Sequence, residues 1–112
     1  MARNRDGDLT PVLQALADPT RLGVVQLLSG GPRRAGELAD ASGLTPAAMS
    51  KHLRVLLRAR VVTDERTPED ARVRVFRLRP ESVVALRAWL DQLQAQWDEQ
   101  LSSFQRHLEK RR

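Results

Sequence analysis

Four positions constrain this chain more than any others: Ala39, Gly43, Met49 and Leu53. Ala39 follows Leu38 in a short segment, roughly Arg34 to Ala41, that reads as a helix. Gly43 then supplies a turn residue able to take positive φ. Thr45-Pro46 opens a second helix that runs to about Ala59. Threonine caps it, and proline occupies the first turn, where its missing N–H costs nothing. A capping box is absent, because Ala48 stands where Glu or Gln would. Two helices joined by so tight a turn must cross closely. The crossing needs a small residue, which Ala39 provides, and Met49 and Leu53 anchor the second helix on the core.

That spacing is a helix-turn-helix pattern, whose second helix is built to enter a DNA major groove. The surrounding chain completes a winged version of it. Leu9 to Ala17 reads as a short helix with Leu9, Val12, Leu13 and Leu16 on one face. Asp18-Pro19 starts another, running to about Ser29 with Leu22, Val25 and Leu28 inward, and Gly30-Gly31-Pro32 stops it. Val61 to Arg66 and Arg72 to Arg79 read as strands, with Thr67 to Ala71 as the turn of a hairpin. Pro80 begins a last helix that runs almost to the end. The predicted fold is mainly α with a small β-hairpin, in the order α-α-α-α-β-β-α. Residues 1–8 read as a flexible tail. Residues 9–112 read as one winged helix domain, of which about 80–110 form a dimerisation helix.

Charge is distributed unevenly. Residues 1–79 carry 14 Lys and Arg against 9 Asp and Glu, whereas residues 80–112 carry 5 of each. The whole net charge of +5 therefore lies in the first two-thirds. Lys51, Arg54, Arg58 and Arg60 fall in a stretch with no acid at all. A local basic stripe is the footprint expected for a phosphate backbone. By itself it is equally compatible with a solvated face that serves solubility.

The helical wheel sharpens this. Met49, Leu53, Leu56 and Arg60 cluster on one side of the second helix, while Ala47, Lys51, Arg54 and Arg58 lie opposite, flanked by Ala48 and Val55. Small residues at the N-terminal end, including Thr45 and Ala47, let the backbone approach the bases. Lys51 and Arg54 are placed to reach guanine edges or phosphates, with Ser50 at the edge of the same face. Arg58 is also compatible with ordinary surface, and Val55 with packing. His52 falls toward the core side, which suits a structural role or a phosphate contact better than base readout. On the hairpin, Arg66, Arg72 and Arg74 flank a loop able to lie against the backbone or minor groove. Glu65, Glu69 and Asp70 partly cancel their charge.

The last helix carries an apolar stripe: Leu86, Leu90, Leu93, Trp97, Leu101, Phe104 and Leu108. Leu86 to Trp97 and Trp97 to Leu108 are both eleven residues, or ~3.67 per turn, a nearly straight seam. A helix of about 30 residues is ~45 Å long and outreaches so small a domain. The stripe, with Leu9 and Leu13 of the first helix, is therefore expected to pair with a second copy. Folding back on its own core is the alternative.

Several segments resemble the ArsR family of winged helix repressors. They are Ala15-Leu16-Ala17-Asp18-Pro19-Thr20-Arg21-Leu22, Gly36-Glu37-Leu38-Ala39, Met49-Ser50-Lys51-His52-Leu53-Arg54-Val55-Leu56 and Phe76-Arg77-Leu78. The resemblance spans about residues 9 to 80, and its combination is more specific than any one piece. It implies a helical core with a β-wing, a homodimer, and repression by operator binding. It also implies DNA contact by Ser50, Lys51 and His52. Many members sense metals through a cysteine pair in the third helix or through His and acidic residues on the last. Here the third helix reads Glu37-Leu38-Ala39-Asp40, the chain has no cysteine, and the last helix holds only His107, sixteen residues after Asp91. A borderline metal such as zinc needs about four ligands. The resemblance is therefore to the metal-independent branch, with no metal site and no cofactor expected.

The function expected is sequence-specific binding of double-stranded DNA, with repression by a homodimer on an inverted repeat. A non-specific architectural DNA binder is the alternative, and a protein-binding winged helix would tolerate loss of Lys51 and Arg54. An enzyme is not expected, since there is no metal set, glycine-rich phosphate loop or nucleophile elbow. The charged N-terminus is no signal peptide, and no apolar run approaches the ~20 residues of a membrane span. A soluble cytoplasmic protein is the expectation.

Overall fold

The computed structural model describes residues 8–111. Of the expected tail only Asp8 is among them; residues 1–7 lie outside. The elements are α1 (Thr10–Leu16), α2 (Pro19–Leu28), β1 (Arg33–Arg34), α3 (Ala35–Ser42), α4 (Pro46–Arg58), β2 (Val62–Arg66), β3 (Arg74–Leu78) and α5 (Pro80–Lys110).

Helix starts follow the capping chemistry. The Asp18 carboxylate accepts from the Thr20 and Arg21 amides at 2.9 and 3.1 Å, satisfying two of the orphan N–H groups of α2. Thr45 Oγ1 accepts from the Ala48 amide at 3.2 Å at the start of α4. Between α3 and α4, Gly43 takes φ 68°, and the Leu44 amide returns to the Ala39 carbonyl at 3.0 Å. A β-carbon at Gly43 would be strained by that backbone.

The sheet is larger than the sequence suggests. It has three antiparallel strands in the order β1-β3-β2. Arg33 and Arg34, the latter read as a helix start, pair with Phe76 and Val75. The β2–β3 ladder runs from Val62↔Leu78 to Arg66↔Arg74. Strand β3 starts at Arg74, not Arg72, which leaves Arg72 in the loop.

One core joins these elements. Val12 and Ala15 of α1, Val24 and Leu28 of α2, Leu38 and Ala39 of α3, and Met49, Leu53 and Leu56 of α4 close on Val61, Val62 and Phe76. Phe76 is fully buried in the middle strand; a side chain of that size contributes on the order of 3 kcal/mol. Three sequence readings need correction. Leu22 is 44 % exposed, and Val24 faces inward in its place. Leu13 lies outward while Ala15 is buried. Arg60 does not continue the buried side of α4, because the helix ends at Arg58 and Arg60 turns to φ 64°.

Helix α5 has no buried residue over its 31 residues. It is joined to the rest at its start: the Arg79 amide donates to the Val61 carbonyl at 2.9 Å, and Ser82 Oγ donates to the Arg60 carbonyl. Near its start, Ser82 and Ala85 share a groove with Leu9 and Val12; no helix or strand packs extensively along it among the described residues, and the molecule extends to 70 × 34 × 24 Å.

Candidate nucleic-acid interface

The buried side of α4 fixes which side is free. With Met49, Leu53 and Leu56 in the core, a pitch of 3.6 residues turns Ala47, Lys51, Arg54 and Arg58 outward. All four are exposed, as is Thr45 at the cap, and Ser50 is half-buried at the edge. Val55 is exposed at the flank rather than packed. Lys51, Arg54 and Arg58 have no hydrogen-bond or ion-pair partner among the described residues. They form a ridge of cations that no acidic side chain among the described residues pairs with.

The wing arginines are placed differently. Arg74 donates from Nε to Asp64 Oδ2 at 2.7 Å, and its Nη2 lies 2.6 Å from the same oxygen. Its guanidinium also lies 5.0 Å from the Phe76 ring centroid, a cation–π distance. Asp64 and Arg74 meet because the register pairs Asp64 with Phe76 and Arg66 with Arg74, making them diagonal neighbours. Arg66 Nη1 donates to the Ala71 carbonyl at 2.6 Å, closing the loop on itself. Arg72 is the outermost, with a side chain 90 % exposed and 3.2 Å from Asp70. Its guanidinium and amide hold the Asp70 carboxyl below the usual carboxylate range.

His52 is only partly exposed, and its Nδ1 lies 3.3 Å from Arg21 Nη1. The sequence showed Asp18 as a cap but gave no sign that Arg21, one turn on, would reach α4. That contact depends on the crossing of α2 and α4, which no local pattern encodes. Also unanticipated is the placement of Arg34 beside Arg72 and Arg74, around a groove at the start of α3. It depends on β1 pairing with β3.

Among the described residues, no three His, Asp or Glu side chains gather where they could hold a metal ion. His107 is isolated on α5, far in sequence from His52 on α4. No described helix is long and apolar enough to cross a membrane.

Comparison with known proteins agrees with this geometry. A helix-turn-helix domain family matches residues 16–65. The HTH-type transcriptional regulator Rv2034 of Mycobacterium tuberculosis is 42% identical over 91 residues, covering 81% of this chain and 79% of that one. The transcriptional repressor SdpR of Bacillus subtilis is 38% identical over 55 residues, which is 49% of this chain and 61% of the repressor's length. Among solved structures, the ArsR family transcriptional regulator RHA00566 superposes with a TM-score of 0.72 at 33% identity, covering 88% of this chain and 97% of that one. The homodimeric winged helix-turn-helix DNA-binding domain Mb0332 of Mycobacterium bovis superposes with a TM-score of 0.62 at 29% identity, over 83% and 81% of the two chains. The capped α4, the wing and these relatives lead to one assignment: the chain belongs to the ArsR family of winged helix-turn-helix transcriptional regulators, which are not enzymes.

Proposed function

We propose that this protein is a cytoplasmic homodimeric repressor that reads an inverted-repeat operator through α4 and its wing, without a metal effector. The observation that carries the reading is the ridge of unpaired cations on the outward side of α4. Lys51 and Arg54 contact bases or phosphates there, Ser50 and His52 lie at its edge, and Thr45 and Ala47 admit the backbone close to the groove. Arg58, Arg66, Arg72 and Arg74 extend the surface along the phosphates.

The dimer is supported by the exposed stripe of α5. Trp97 is 57% and Phe104 60% exposed, and Leu90, Leu101 and Leu108 continue the same face. Leu86 and Leu93 on that stripe are half-buried. Leu9, which caps α1, shares a groove with Ala85 near the start of α5, and Leu13 is exposed on α1. A second copy covering this face brings two α4 helices to one side of the assembly, which suits two half-sites a helical turn apart. Repression is the outcome such docking favours, as in the repressor SdpR. The chain's lack of cysteine and its two separate histidines support metal independence.

Binding titrations test the DNA surface. Duplexes recovered by the protein from a random-sequence pool, and scrambled versions of them, are titrated at several salt concentrations. Arg54→Ala is expected to lose ~1–3 kcal/mol and to relax preference at one position per half-site. A protein that binds both duplexes equally is an architectural binder instead. If Lys51→Ala, Arg54→Ala and the wing variants all bind like the parent, the surface is elsewhere.

A further inference from the structure

The polar cluster of Asp18, Arg21 and His52 joins the start of α2 to the middle of α4. Arg21 is held from behind, its Nε donating to the Ala15 carbonyl at 2.6 Å. Its Nη1 lies 3.9 Å from Asp18 Oδ2 and 3.3 Å from His52 Nδ1. A guanidinium carries only donors and stays protonated in proteins. The ring nitrogen facing it must therefore accept. In a neutral imidazole whose Nδ1 accepts, the proton sits on Nε2.

Asp18 does not compete for that ring nitrogen. Its Oδ1 is 4.0 Å from His52 Nδ1, beyond hydrogen-bond reach, and is already taken by the Thr20 and Arg21 amides. The Arg21 amide foremost, with the Arg21 charge, keeps the Asp18 carboxyl below the usual carboxylate range, so it stays an anion and offers no proton. The outer side of the ring differs. The His52 side chain is 25% exposed, and Nε2, which has no hydrogen-bond partner among the described residues, is not fully buried, which leaves it in reach of a group from outside.

We propose that Arg21 is a positioning residue for DNA binding: it holds His52 as the Nε2–H tautomer, so that Nε2 donates a hydrogen bond to a backbone phosphate beside Lys51. The opposite tautomer would turn a lone pair toward the phosphate and repel it. This rests on α4 facing DNA. It adds that a residue of α2 with no DNA contact of its own sets the polarity of one that has.

Two measurements test it. In the free protein, long-range proton–nitrogen NMR of the His52 ring at mildly alkaline pH should show the Nε2–H form alone. In Arg21→Leu both tautomers should appear, and Arg21→Lys, which keeps a donor-only partner, should restore the single form. In titrations with a pool-selected duplex, His52→Ala should weaken binding roughly tenfold, Arg21→Leu should weaken it by the smaller factor set by the fraction of the ring left as Nε2–H, and Arg21→Lys and His52→Gln should stay near the parent. The double variant should be no weaker than His52→Ala alone, since both remove one interaction.

An Nδ1–H ring in the parent, or losses that simply add, would overturn the proposal. If Arg21→Leu fails to fold, the parent's tautomer and the pair His52→Ala and His52→Gln still decide. If Lys51→Ala and Arg54→Ala lose affinity while His52→Ala does not, this inference fails and the reading of α4 stands. If none of the three loses affinity, α4 itself does not face DNA.

Discussion

The two halves of this molecule are stabilised in opposite ways. Residues before Pro80 contain every buried side chain among the described residues, a three-stranded sheet and the whole excess of positive charge. Helix α5 has no buried residue and no excess of positive charge, with three Lys and Arg against five Asp and Glu, yet carries a long row of large exposed apolar side chains. Apolar area exposed to water disfavours a state by about 25 cal/mol per Å². The head is thus complete within one chain, while α5 leaves its apolar side open to the second copy proposed above. Folding and association should therefore be separable by mutation.

The largest effect is expected from Phe76→Ala. It empties the centre of the head and should cost about 3–5 kcal/mol, seen as a drop in the denaturant midpoint of chain unfolding. An equal loss in a variant confined to α5 would break the division. Next is Trp97→Glu, which places a charge in the stripe and should cost the dimer about 2 kcal/mol or more. Sedimentation should show monomers with the helical content of the head preserved. A Trp97→Glu variant that stays dimeric would mean that another face pairs.

Within the head, the two wing arginines sharpen the contrast between folding and binding. Arg74 is engaged with Asp64 and Phe76, so Arg74→Ala should lower stability by on the order of 1 kcal/mol. Loss of Arg72, almost wholly exposed and bonded only to Asp70, should lower the melting temperature by less than Arg74→Ala does. Arg72→Ala should instead weaken binding to all duplexes alike and flatten the salt dependence by about one counterion. Salt titrations of both variants beside their melting curves check this.

The smallest effect is at low pH. Asp18 and Asp70 both have carboxyls held below their ordinary value of 3.8. Their contribution is complete above that value and disappears as pH falls through the lower folded-state value. The melting-temperature gap between the parent and Asp70→Asn should therefore close in acid. A gap that widens in acid would show that the Asp70–Arg72 contact is not what stabilises the loop.

What could be read from the sequence follows from how local each signal is. Asp18-Pro19, Thr45-Pro46 and Pro80 each mark a helix start by themselves, and all three starts are where they were expected. The outward side of α4 was also readable, because its polar and apolar residues alternate with a clear helical period. Helix α2 is different: Leu22, Val24, Val25, Leu27 and Leu28 surround it, so spacing could not tell Leu22 from Val24. Strand β1 is two residues long, and its pairing partner lies more than forty residues away. The bonds from Arg74 to Asp64 and from Arg21 to His52 depend on register and helix crossing in the same way.

The join at Arg79 has a mechanical consequence. One residue separates β3 from α5, and the Arg79 and Ser82 bonds to Val61 and Arg60 clamp it on both sides. Those bonds tie the first turn of the long rod to the head. A helix of 31 residues is about 46 Å long, so a tilt of about 5° at one end moves the other by roughly 4 Å. Such a shift exceeds the tolerance of a hydrogen bond to a base edge. In a clamped lever of this kind, the angle at which two rods cross sets the distance between two heads.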